Sequence, residues 1–102
     1  MNYRSKLESE SIDALFDAIL KLKDREQCYR FFEDLCSISE LQAMAQRLDV
    51  AYMLADNVTY AEIAQQTGVS TATISRINRC LKYGAGGYSL VVKVNDCDKE
   101  NK

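Results

Sequence analysis

The chain of 102 residues has no histidine, no proline and only four glycines. Without histidine it lacks the commonest side chain for general base work and for holding zinc. Its four cysteines, Cys28, Cys36, Cys80 and Cys97, show neither C-x-x-C nor zinc-finger spacing. A zinc site would need thiolates gathered from scattered elements, so no metal and no cofactor is expected. There is no glycine-rich phosphate loop and no nucleophile with an obvious base beside it. Glu33 and Asp34 are adjacent on a helical pattern and point apart, so they make no acid–base pair. An enzyme is not expected. No apolar run approaches the ~18 residues of a membrane span. The first residues, MNYRSKLESES, are polar and lack the apolar centre of a secretion signal, so the expected location is the cytoplasm, away from any membrane. Thiols stay reduced in that compartment. Cys28, Cys36 and Cys80 fall on or beside apolar stripes and read as small core residues; Cys97 lies in a polar tail and reads as exposed.

What the chain does have is a composition for helices: Ala, Leu, Glu, Gln and Lys are plentiful and no proline interrupts them. The length fits one all-α domain of five or six helices. The formal net charge is −2, which argues against a general DNA-coating protein. The distribution says more. Residues 1–40 carry 6 Lys/Arg and 9 Asp/Glu, whereas residues 71–83 carry 3 Lys/Arg and no acid. Cationic charge is focused on one segment of an acidic body, which steers that end toward a polyanion.

A first amphipathic helix is expected over about Lys6 to Leu22, with Ile12, Leu15, Phe16, Ile19 and Leu20 on one face. Asp24 with Gln27 reads as a capping box opening a second helix, whose face is Cys28, Phe31, Phe32 and Leu35. Ser37 with Glu40 opens a long third helix, Ile38 to about Asp56. Its apolar stripe is Leu41, Met44, Ala45, Leu48, Ala51, Tyr52 and Ala55, and Asp56-Asn57 ends it. Thr59 with Glu62 is a third box. Gly84 is expected to close a later helix in the left-handed conformation. Beyond it, Tyr88 to Val94 is β-branched but has no partner strand, so a short helix or a loosely docked segment is expected, followed by a frayed tail from Asn95. The resulting division is a helical domain over 1–84 and an extension over 85–102.

The most informative stretch is Tyr60 to Lys82, YAEIAQQTGVSTATISRINRCLK. It has the pattern of a helix-turn-helix. Ile63 and Ala64 occupy the inner face of a first helix, Gly68 makes the sharp turn and Val69 plugs it. Ile74, Ile77 and Leu81 then recur at i, i+3, i+7 as one stripe of a second helix, capped by Ser70. The opposite face is Thr71, Ala72, Ser75, Arg76, Arg79 and Lys82. Small and hydroxylated residues come first and let a backbone approach base edges; the cations that follow can meet phosphates. An ordinary two-helix corner in a helical core would show the same apolar positions without that polar face.

The segments CYRFFEDLCSISELQAMAQRLDVAYML, from Cys28 to Leu54, and TATISRINRCLKYG, from Thr71 to Gly84, resemble the tryptophan repressor superfamily, and more closely its YerC/YecD-type branch. The likeness covers most of the chain up to Gly84. It implies an intertwined homodimer whose amino-terminal helices interlock, with two helix-turn-helix units reading double-stranded DNA. The apolar faces of the first three helices, more than a chain this size easily covers, point the same way. The resemblance also implies an anion or effector site at Arg47 and Arg76, which match the two arginines that hold the tryptophan carboxylate in the Trp repressor. The slot floor there is a glycine, with a serine three residues on. This chain has Ile77 and Cys80, so tryptophan is not expected to bind. The partner of Arg47 and Arg76 stays open among a small acidic effector, a DNA phosphate and nearby carboxylates. Basic residues of the Trp repressor's first motif helix are replaced by Ala61 and Ala64, so weaker non-specific binding is expected.

The function these readings lead to is a sequence-specific transcription regulator, a repressor that binds a palindromic operator as a homodimer. Thr71, Ala72, Thr73 and Ser75 are the expected base-edge or water-mediated contacts, Arg79 and Lys82 the phosphate contacts, and Arg76 serves either. The alternative is a dimeric protein-interaction module whose helix-turn-helix binds no DNA. The acidic surface and the missing first-helix cations favour that alternative.

Overall fold

The structure is a computed structural model that describes residues 3–93. All regular structure among these residues is helical: α1 Glu10–Leu20, α2 Arg25–Leu35, α3 Ile38–Ala55, α4 Tyr60–Thr67, α5 Thr71–Tyr83 and α6 Gly87–Val91. Cys97 and the tail from Asn95, read above as exposed and frayed, lie outside the described residues. The chain divides into two compact units, one up to Leu41 and one from Gln42 onward.

The first unit is built from local signals. Ser9 caps α1 by accepting the N–H of Ile12 at 3.1 Å. This corrects the expected start at Lys6: the hydroxyl at Ser9 satisfies a free helix-end N–H, so the helix begins just after it. Asp24 caps α2 through the N–H of Gln27 at 2.9 Å. The reciprocal half of the expected box is shifted by one residue, because the Gln27 side-chain oxygen takes the N–H of Lys23 instead, at 2.8 Å. Ser37 and Glu40 form a full box at the start of α3, with bonds of 3.1 and 2.8 Å. The N–H and the hydroxyl of Ser37 hold the Glu40 carboxyl below its usual range. Phe31 and Phe32 meet edge to face, 5.5 Å apart at 84°. No side chain of α1 or α2 is fully buried.

The second unit holds the core: Val50, Ala51, Ala55, Ile63, Ile74, Ile77 and Val92. Half-buried Met53, Leu54, Val58, Tyr60, Ala64, Val69, Leu81 and Tyr88 pack around it. The buried face of α3 is therefore not the predicted stripe. Ala51 and Ala55 are buried, but Met44, Leu48 and Tyr52 stay exposed, and Val50 on another side of the helix is completely covered. A helix with two apolar faces gives periodicity no means of choosing between them. Its end is a Schellman motif: Val58 N–H reaches Met53 O and Asn57 N–H reaches Leu54 O, both at 3.0 Å, with Asn57 left-handed at φ 65°.

Two other expectations are corrected, and the short helix expected after Gly86 is present. Gly84 is not left-handed; its φ is −81°, and the left-handed residue is Gly86 at φ 88°. Glycine is needed at 84 for space, since a Cβ there would lie 2.5 Å from the Cys80 carbonyl oxygen, to which the Gly84 N–H donates. Cys28 and Cys80 are exposed and Cys36 half-buried, so none is a core residue within this chain. The segment after Gly86 is the short helix α6, and Val92 behind it is only 1% exposed. Tyr52 pins its end by donating from its hydroxyl to Val91 O at 3.3 Å.

Candidate nucleic-acid interface

The corner between α4 and α5 is set by backbone chemistry. Thr59 and Glu62 cap α4 with a reciprocal box. Gly68 ends the helix left-handed at φ 79°, where a Cβ would meet nothing, so the demand is conformational and not spatial. Val69 follows, half-buried against the core, and Ser70 caps α5 through the N–H of Thr73 at 3.2 Å. Ile63 and Ile74 are fully buried, Ile77 is 4% exposed, and Leu81 packs on the same cluster. One ridge of α5 is thereby anchored inward.

The opposite ridge faces solvent. Thr71, Ala72, Arg76, Arg79 and Lys82 are exposed. Thr73 and Ser75 are half-buried, and the Thr73 hydroxyl is engaged with that of Ser70 at 3.1 Å. Thr73 is accordingly more of a capping residue than a free surface group. Arg47, on α3, is also exposed. The salt bridges of the described residues, Arg4–Glu8 and Arg30–Glu26, involve none of Arg47, Arg76, Arg79 or Lys82. Of the two alanines on the first motif helix, Ala61 is exposed whereas Ala64 packs against the core. Among the described residues no cluster of His, Cys, Asp or Glu has the geometry of a metal site, and no helix is long and apolar enough to cross a membrane.

Sequence reasoning missed a clamp on this corner. The Thr67 hydroxyl donates to Ile63 O at 2.7 Å and accepts the Val69 N–H at 3.1 Å. The Thr67 carbonyl accepts from the Gln46 side-chain amide at 3.2 Å. The threonine before Gly68 was a readable local signal. The link from α3 spans 21 positions and leaves no trace in local pattern.

Comparison with known proteins fits this geometry. The family described as Trp repressor protein matches residues 10–96. YerC of Bacillus subtilis (strain 168) is 52% identical over 97 residues, covering 94% of this chain and 93% of that protein. A Trp operon repressor homolog of Chlamydia caviae is 41% identical over 63 residues, covering 61% of this chain and 62% of the other. The crystal structure of a TrpR-like protein from Eubacterium eligens superposes with a TM-score of 0.80 at 52% identity, over 84% of this chain and 89% of that one. With an anchored helix-turn-helix at its centre and relatives of this kind along most of its length, the chain belongs to the Trp repressor family, on its YerC-type branch.

Proposed function

We propose that this protein is a sequence-specific DNA-binding transcription regulator of the cytoplasm. It acts as a homodimeric repressor on a palindromic operator and does not respond to tryptophan. The observation that carries the reading is the two-sided character of α5: Ile74 and Ile77 are buried while Thr71, Ala72, Arg76, Arg79 and Lys82 stand exposed. A helix held by one ridge and bare along the other suits the major groove. Family membership and the Trp operon repressor homolog among its relatives support the same reading. The exposed apolar side chains of the first unit, including Phe16, Leu20, Tyr29 and Leu35, support dimerisation.

Ile77 bears on the effector. It stands where the Trp repressor has the glycine floor of its indole slot, and its β-branched side chain is buried at 4% exposure. Calorimetry with tryptophan should therefore give no stoichiometric heat. Arg47 and Arg76 are exposed and, among the described residues, carry no ion pair, which leaves them available to an acidic effector or a phosphate.

In-vitro selection with the purified dimer tests the whole reading. The expected product is a palindrome with half-sites ~34–36 Å apart, one turn of duplex. Affinity should fall with salt at a log–log slope of roughly −5, for three phosphate contacts in each protomer. Lys82→Ala should weaken binding to every sequence alike, and Thr71→Ala should alter the preferred sequence. Failure to enrich any sequence, with a flat salt response, would select the protein-interaction alternative.

A further inference from the structure

The α4–α5 corner is locked by more than its glycine. Three hydrogen bonds converge on Thr67, and they differ in kind. Two are local: the hydroxyl bonds Ile63 O and the Val69 N–H. They fix the backbone on both sides of Gly68, which alone would leave the corner free, since glycine visits many conformations. The third comes from another element. The Gln46 amide, on α3, donates to the Thr67 carbonyl at 3.2 Å. A carbonyl in the last turn of a helix has no intrahelical donor, so this bond fills an unmet need. Gln46 lies one helical turn before Val50, which is wholly buried, so the donor projects from a part of α3 that the core already holds.

We propose that Gln46 is a positioning residue for operator recognition: through Thr67 it fixes the angle at which α5 leaves the turn, and so the depth at which Thr71 and Ala72 reach base edges. The proposal rests on the DNA-binding reading above. Gln46 need not touch DNA itself. A rotation of α5 by a few degrees about the corner moves its exposed end against the bases while its cations still find phosphates, because phosphate contacts tolerate displacement and base contacts do not. Loss of the clamp should therefore degrade discrimination more than affinity.

The test compares affinity for a selected operator with affinity for scrambled duplex, using the full-length dimer. Gln46→Ala truncates an exposed side chain, so folding should be retained. The ratio of specific to non-specific affinity should fall about five-fold, the size of one neutral hydrogen bond, with the salt slope unchanged. Thr67→Val removes the hydroxyl at constant shape and should lower the ratio similarly, while Thr67→Ser, which keeps the hydroxyl, should restore it. Hydrogen exchange of the Val69 amide should quicken in Thr67→Val and not in Thr67→Ser. An operator ratio in Gln46→Ala equal to that of the unchanged protein overturns the proposal and leaves the DNA-binding reading standing. Equal loss on operator and scrambled DNA also overturns it, since that marks a general weakening. If the unchanged protein discriminates no sequence, the functional reading falls and this inference falls with it.

Discussion

The two units of the chain use the same kind of helix and end in different states. From Gln42 onward, apolar side chains close over one another: Val50, Ala51, Ile63 and Ile74 have no measurable exposure. Up to Leu41, helices just as amphipathic have no buried residue, and Leu20 is 80% and Phe16 54% exposed. What holds the first unit is local, namely the caps at Ser9 and Asp24, the box at Ser37 and the two exposed i,i+4 ion pairs. Caps contribute about 1 kcal/mol each and exposed ion pairs between nothing and about 1. Helices of this length are marginal in water on those terms alone. The comparison teaches that the second unit closes a core of its own and the first leaves its apolar faces bare, which on the proposed reading a second copy would cover.

The largest effect that could break this contrast is in the core. Ile63→Ala should cost about 3 kcal/mol, seen as a lowered urea midpoint with unchanged slope, because a fully buried side chain leaves a cavity. Next is the double change Phe16→Ser with Leu20→Ser. Exposed residues on a true surface should be neutral within about 0.5 kcal/mol. If a second copy covers them, apparent stability should fall by about 2 kcal/mol and the melting temperature should lose its dependence on protein concentration. A neutral result with a monomer in both cases would erase the distinction between the units. Gly84→Ala is smaller: its Cβ meets the Cys80 carbonyl, so α6 must shift, at about 1–2 kcal/mol in thermal melts. The smallest concerns Glu40. Its carboxyl is held low by Ser37, so the folded state gains from it above the ordinary carboxylate range and loses that gain as pH falls through its lowered titration. The Glu40 carboxyl resonance should titrate below an ordinary glutamate, and Ser37→Ala, which removes the hydroxyl but keeps the backbone N–H, should raise it only part of the way.

The sequence made some features plain and hid others for physical reasons. Ser37, Thr59 and Ser70 announced their helices because a cap is decided within four residues. The inward ridge of α5 was legible because Ile74 and Ile77 sit on one face with polar residues on the other. Val50 was missed because α3 has a second apolar stripe, Met44, Leu48 and Tyr52, that this chain leaves uncovered. For the same reason Cys28 and Cys80 looked like core and are not: a stripe predicts burial without saying by whom. At Gly84 the residue was right and the cause wrong, since a steric demand from Cys80 and a left-handed φ both select glycine. The Gln46–Thr67 link depends on packing between distant elements and has no local signature.

Among the described residues Val92 is the last core residue in chain order, placed nine positions after the end of α5. The corner's interior is therefore completed by a side chain that follows both of its helices in the chain, so a change at Val92 would be felt beneath α4 and α5.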